Sequence, residues 1–178
     1  MGDAEQDRVR PTCRIRPAGQ GDAAVLAAIH LETAIVAYAG LFPPDAPPPP
    51  LAELTDLWAA RIEAADDDAR ARSLVLVAES DDGAVGVVAV APEPPGDARL
   101  LGFYVRPEAW DAGHGRALHA AVLSLVTGHA DALHAWVLEG NERGRRWYHR
   151  HGYRPTGERL AIMADRGIFD EGWRLALP

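Results

Sequence analysis

A chain of 178 residues with 48% apolar and 25% charged residues suffices for one ordinary domain with its own core, so wholesale disorder is excluded. A formal net charge of −8 argues against a broad nucleic-acid surface, the lone Cys13 rules out an internal disulfide, and no apolar run approaches the roughly 18 residues of a membrane span. All 18 basic residues are arginine, which excludes a lysine Schiff base; the polar start MGDAEQDRVRPTCR has no signal core, so the expected compartment is the cytoplasm.

Residues 1–11 read as a flexible segment and 12–178 as one domain. Cys13–Arg16 suits a short first strand ending at Pro17. Asp22 then caps a helix whose apolar positions Val25, Leu26, Ile29, Ala34 and Tyr38 recur at helical spacing, and Gly40 stops it. Pro43–Pro50 holds six prolines in eight residues, a stiff extended connector that serves as a spacer or shapes a pocket. A second helix covers about Leu51 to Ala65, with Leu54, Leu57, Trp58 and Ile62 on one side. Leu74–Ala78 and Ala84–Ala91 are strands joined by the hairpin turn Ser80–Gly83, and Leu100–Val105 is a third. A helix from Gly115 to about Thr127, a strand Leu133–Leu138 and a helix opened by Asn141 follow. Tyr153 begins the closing strands, with Trp173–Leu177 the last. Hairpins mixed with strand–loop–helix–strand units give an α/β (α+β) class.

Two segments carry chemistry. In LLGFYVRPEAWDAGHGRALHAAVLSLV a strand runs into a tight turn, with Gly113 and Gly115 just before an amphipathic helix. Glycines there let backbone amides turn inward, and the free amides of the first helical turn favour a phosphate. The loop lacks the Lys and Ser/Thr of a nucleotide P-loop, and Leu118 breaks the GxGxxG dinucleotide pattern. In HAWVLEGNERGRRWYHRHGYRPTGE, Asn141 caps a helix carrying Trp147 and Tyr148, the latter a core aromatic or a catalytic phenol. The neighbouring Arg143, Arg145, Arg146, Arg150 and Arg154 form a basic cluster, either a solvated face or a set of phosphate contacts.

These two segments in this order resemble the GCN5-related N-acetyltransferase (GNAT) superfamily. Trp110-Asp111-Ala112-Gly113-His114-Gly115 is similar to its Q/R-x-x-G-x-G/A loop, and an Asn opening a helix with a Tyr seven residues later is similar to its second block. The resemblance implies a mixed, mostly antiparallel sheet of about seven strands with about four helices, splayed open after the strand that precedes the glycine loop. It implies acetyl-CoA as acyl donor: main chain of Phe103, Tyr104 and Val105 along the pantetheine arm, the amides of Asp111, Ala112, Gly113, His114, Gly115 and Arg116 on the pyrophosphate, and Asn141 on the arm. Tyr148 would stand near the thioester sulfur as general acid. The implied reaction is direct transfer of acetyl to a primary amine of a small molecule or peptide, with no metal, no nucleic acid and no membrane, and with a homodimer as the family's common habit. The alternative is a non-catalytic acyl-CoA-binding or sensing module on the same fold.

Trp110 stands where the family has Gln or Arg. The Asp111 carboxylate opposes a pyrophosphate by roughly 3 kcal/mol at about 6 Å before solvent and salt screen it, and Arg116 offsets part of this. Gly144 lies inside the Tyr148 helix, where alanine is better by about 1 kcal/mol. Trp136 occupies the strand position where some relatives carry a Glu as general base, leaving Glu139, Glu32 and Glu79 as acidic alternatives. The histidine pairs His149/His151 and His114/His119 lack the i, i+4 spacing of a helical metal site.

Overall fold

The computed structural model describes residues 13–67 and 73–178, so the expected flexible stretch 1–11 lies outside the described residues. In chain order it contains β1 (Arg14–Pro17), α1 (Ala23–Ala37), α2 (Leu51–Asp67), β2 (Leu74–Ser80), β3 (Gly83–Glu93) and β4 (Asp97–Val105). Then come α3 (His114–Val126), β5 (Ala132–Leu138), α4 (Glu142–Arg150), β6 (Arg154–Met163) and β7 (Ile168–Ala176).

Alternation along β2 and β3 decides what covers the sheet. Val75, Val77, Val87 and Ala89 face one way, where Leu26 and Ile29 of α1 and Leu54, Trp58 and Ile62 of α2 bury them. Leu76, Ala78, Val88 and Val90 face the other way, against Leu118, Val122 and Val126 of α3 and Tyr148 of α4. Both faces of these central strands are therefore apolar and both are covered. Leu57 departs from expectation: it is 37% exposed, because the buried stripe of α2 runs through Leu54, Trp58 and Ile62 at four-residue steps.

The sheet has seven strands in the order β1-β2-β3-β4-β5-β7-β6. Every neighbouring pair is antiparallel except β4 and β5. Those two are parallel and pair only at Ala98↔Leu133 and Arg99↔His134. Beyond Arg99 they diverge, leaving a strand edge of β4 unpaired inside the molecule. A bulge helps to turn β4: Ala89 opposes Gly102 and Val90 opposes Leu100, so Leu101 is the extra residue. The strand begins at Asp97 rather than Leu100 because its hairpin with β3 continues to Glu93↔Asp97.

Candidate active site

The divergence of β4 and β5 opens a cleft of about 910 Å³. Phe103, Tyr104 and Val105 of β4, the loop Trp110–Gly113, Gly115, Arg116, Asn141, Trp147 and Tyr148 all line it. Of the residues expected to bind or react, His114 alone is absent from the wall. Its side chain is 2% exposed and packs inward, which leaves its main chain as its contribution to the loop.

One wall is a strand edge. The Arg106 amide donates to the Val85 carbonyl, so Arg106 faces β3. Main-chain polarity alternates along an antiparallel strand, so the groups of Val105 and Phe103 face the cleft and those of Tyr104 face β3. Tyr104 contributes its side chain instead. The Val105 carbonyl is already satisfied, accepting from the Trp110 indole at 2.7 Å and lying 3.0 Å from the Thr33 hydroxyl. Trp110 thus braces the end of β4.

The loop at the cleft mouth is shaped for an anion. Asp111 and Gly113 both adopt left-handed backbone (φ 63° and 96°), with Ala112 between them. Such alternation turns successive amides toward one concavity. The first α-helical hydrogen bond of α3 runs from Ala117 to Gly113, and no side chain caps the helix. The amides of His114, Gly115 and Arg116 are therefore free for a ligand. Asp111 is paired: its carboxylate accepts two hydrogen bonds from Arg143 at 3.0 and 3.1 Å. The same guanidinium lies 4.1 Å above the Trp110 ring. Arg143 neutralises the one acid of the loop, which leaves Arg116 and Arg150 as further cationic lining.

The cleft floor is aromatic. Trp147 meets Phe103 edge-on at 4.9 Å and stacks on His151 at 3.8 Å, which fixes α4 across the opened sheet. Tyr148 is 9% exposed and packs against Tyr153 at 5.0 Å. Burial, reinforced by Tyr153 and Tyr104, holds its hydroxyl well above the ordinary phenol range, and among the described residues no hydrogen bond ties that hydroxyl down. The Asn141 Oδ1 accepts from the Gly144 amide at 3.0 Å as a helix cap. A Cβ at Gly144 would lie 2.7 Å from Asn141 Nδ2, so glycine here is required by the cap beneath it.

The acidic alternatives fare differently. Glu139 pairs with Arg159, Glu32 with Arg106, and Glu79 with Arg14 and Arg16, and none of the three lines the cleft. Asp170 of β7, which sequence reasoning missed, does line it, together with Tyr38, the residue that caps the C-terminus of α1. Burial raises the Asp170 carboxyl to about 6. Tyr38 sits among Tyr104, Tyr148 and Asp170, each of which raises its hydroxyl in addition to burial. Nothing in the local pattern around Ile168–Trp173 distinguishes Asp170 from its neighbour Glu171. Among the described residues no group of three His, Cys, Asp or Glu side chains is arranged to hold a metal ion, and no helix is long and apolar enough to cross a membrane.

Residues 71–155 match the family profile of the acetyltransferase (GNAT) domain. Solved structures share the fold. PaiA N-acetyltransferase of Thermoplasma acidophilum, in complex with coenzyme A, superposes with a TM-score of 0.74 at 17% identity, over 93% of this chain and 99% of that one. YncA of Salmonella typhimurium, with its cofactor acetyl-CoA, gives 0.69 at 20% identity, over 94% and 95%. Ribosomal-protein-alanine N-acetyltransferase of Brucella melitensis gives 0.68 at 22% identity, over 92% and 99%. No curated protein sequence matches the chain significantly.

Proposed function

We propose that this chain, whose residues 71–155 match the acetyltransferase (GNAT) domain profile, moves an acetyl group from acetyl-CoA directly to a primary amine of a small molecule or peptide. The observation that carries this is the join of three features in one cleft: an unpaired strand edge, a loop of free amides at its mouth, and a buried tyrosine hydroxyl at its floor. When bound, acetyl-CoA supplies an activated acyl carbon and a thiolate leaving group.

The chain's own groups fit that cosubstrate. The edge of β4 at Phe103 and Val105 offers main-chain partners to an amide-bearing pantetheine arm, as an added strand would. The amides from Asp111 to Arg116 hold the pyrophosphate, with Arg116 and Arg143 beside them. Asn141 contacts the arm at the start of α4. The Val105 amide polarises the thioester carbonyl. Tyr148 keeps its proton through neutral pH and gives it to the departing sulfur. No covalent enzyme intermediate is needed, and Cys13 is exposed on the approach to β1, outside the cleft. A cytoplasmic location and a homodimeric assembly belong to the same proposal, the latter read by light scattering.

Calorimetric titration with acetyl-CoA tests the binding half, and thiol release in the presence of primary amines tests the transfer half. Micromolar binding with amine-dependent release supports the reading. Binding without release from any amine favours the non-catalytic acyl-CoA module, and no binding up to millimolar overturns both.

A further inference from the structure

We propose that Asp170 is the group that seats the acceptor as a primary ammonium ion and takes its proton before attack. This deepens the acetyltransferase reading and rests on it. Asp170 lies on β7, opposite Leu138 of β5 and Leu160 of β6, and its side chain lines the cleft with Tyr38, Tyr104 and Tyr148. It forms no ion pair among the described residues, while the other acid of the cleft, Asp111, is held by Arg143. The cleft is therefore cationic at the loop, where phosphates belong, and acidic at β7.

The groups around Asp170 favour a cation. From the end of α1 comes its C-cap Tyr38, from β4 Tyr104, and from α4 Tyr148, which faces it through Tyr38 and Tyr104. The opposing residues of β5 and β6 are Leu138 and Leu160, neither titratable. On β7 itself, Glu171 is paired with Arg145. Burial pushes the Tyr104 hydroxyl up to about 12, so all three tyrosines are neutral hydroxyls at neutral pH. Among the described residues no arginine pairs with the carboxylate. An ammonium entering there meets one unpaired carboxylate and a ring of hydroxyls, with apolar walls from Leu160 and Trp136 for its stem.

The step balances. Asp170 accepts one proton from R–NH3⁺, and the freed amine nitrogen bonds to the thioester carbonyl carbon. As the C–S bond breaks, Tyr148 gives its proton to sulfur and regains one from the nitrogen. Asp170 then releases its proton to solvent. The net products are the amide, free CoA thiol and one proton.

Asp170→Asn keeps the shape and removes the base. With n-butylamine and a lysine-containing peptide as acceptors, wild-type kcat/KM should rise to a plateau above about pH 6 and stay flat toward the acceptor's own pKa near 10. The variant must use the rare neutral amine, so it should lose roughly 10²–10⁴-fold at pH 7 and climb about tenfold per pH unit. Acetyl-CoA binding by calorimetry should be unchanged. A variant within threefold of wild type at pH 7, with the same acid limb, overturns the assignment while leaving the transferase reading intact. A second measurement does not depend on turnover. In protein labelled with ¹³C at Asp carboxyls, the resonance lost in Asp170→Asn should titrate near pH 6, and n-butylammonium chloride should lower that midpoint. No response to the ammonium ion overturns the proposal even if no acceptor turns over.

Discussion

Replacing Tyr148 by Phe removes one hydroxyl and little else, so its effects on rate and on stability separate. The ring contacts that hold residue 148, with Trp147 at 5.2 Å and Tyr153 at 5.0 Å, survive in phenylalanine. The hydroxyl gives up no hydrogen bond to any described residue, so the fold should change by less than about 0.5 kcal/mol, a shift within about 2 °C in melting temperature. Chemistry should change far more. Losing a general acid costs roughly 10²–10⁴-fold, or about 3–5 kcal/mol of transition-state stabilisation. Because burial keeps the phenol protonated well above its ordinary range, the loss should be the same at pH 6 and pH 9. Thiol release at saturating acetyl-CoA reads kcat, and calorimetry reads binding, which should be unaltered. A kcat within threefold of wild type, with binding intact, refutes the general-acid role. A melting point lower by more than 5 °C refutes the claim that the hydroxyl is structurally free.

Three further outcomes follow from the geometry. Gly144→Ala gains about 1 kcal/mol of helix propensity but sets a Cβ 2.7 Å from Asn141 Nδ2 and displaces a cap of similar worth, so thermal melts should show no stabilisation; a rise of 4 °C contradicts this. Asp111→Asn tolerates the left-handed backbone, removes the charge and frees Arg143, so calorimetry should show acetyl-CoA binding tightened by about fivefold at low salt, with the gain shrinking as salt rises; an unchanged affinity shows that the carboxylate does not oppose the ligand. Burial lowers the carboxyl-free bases His30 and His119 to about 4, so the unfolded chain binds protons first as pH falls. Their stabilisation is full above about pH 6.5 and is lost toward pH 4, at about 2 kcal/mol each by pH 5, and Asp170, raised to about 6, offsets part of this in the same window. Denaturant unfolding of His119→Gln at pH 7.5 and pH 5 should show a smaller acid loss than wild type; an equal loss refutes the assignment to His119.

What was legible in the sequence was written locally. Valines alternating in β2 and β3, the stripe of Leu54, Trp58 and Ile62, and the glycines before α3 each act within a few positions, and each formed the element that its pattern implies. The opened sheet was a different matter. Nothing in Leu100–Val105 or Leu133–Leu138 says that two strands pair at two positions and then part; only the family resemblance carried that expectation. Charge partners were the least legible of all. Asp111 reads as a fault in an anion loop until Arg143, 32 positions later, is seen to hold it. Glu32, Glu79 and Glu139 read as acidic alternatives because Trp136 fills the position of the usual Glu, and each proves to be bound by arginine.

The same arginine chemistry sets Asp170 apart from the paired carboxylates of this chain. Every cation of this chain is a guanidinium, a planar fork that pairs with carboxylates through two parallel hydrogen bonds. Arg16 grips Asp22 that way and Arg166 grips Asp45, while one nitrogen of Arg143 donates to both oxygens of Asp111. Glu32, Glu79, Glu93, Glu139 and Glu171 are held by arginines as well. Asp170 is withheld from them by its place on β7, between Leu138 and Leu160 and beneath three tyrosines. Its isolation is a property of the folded cleft and of no segment of the sequence. An isolated, half-buried carboxylate resists ionising until a cation joins it, and the substrate ammonium is the cation the cleft admits.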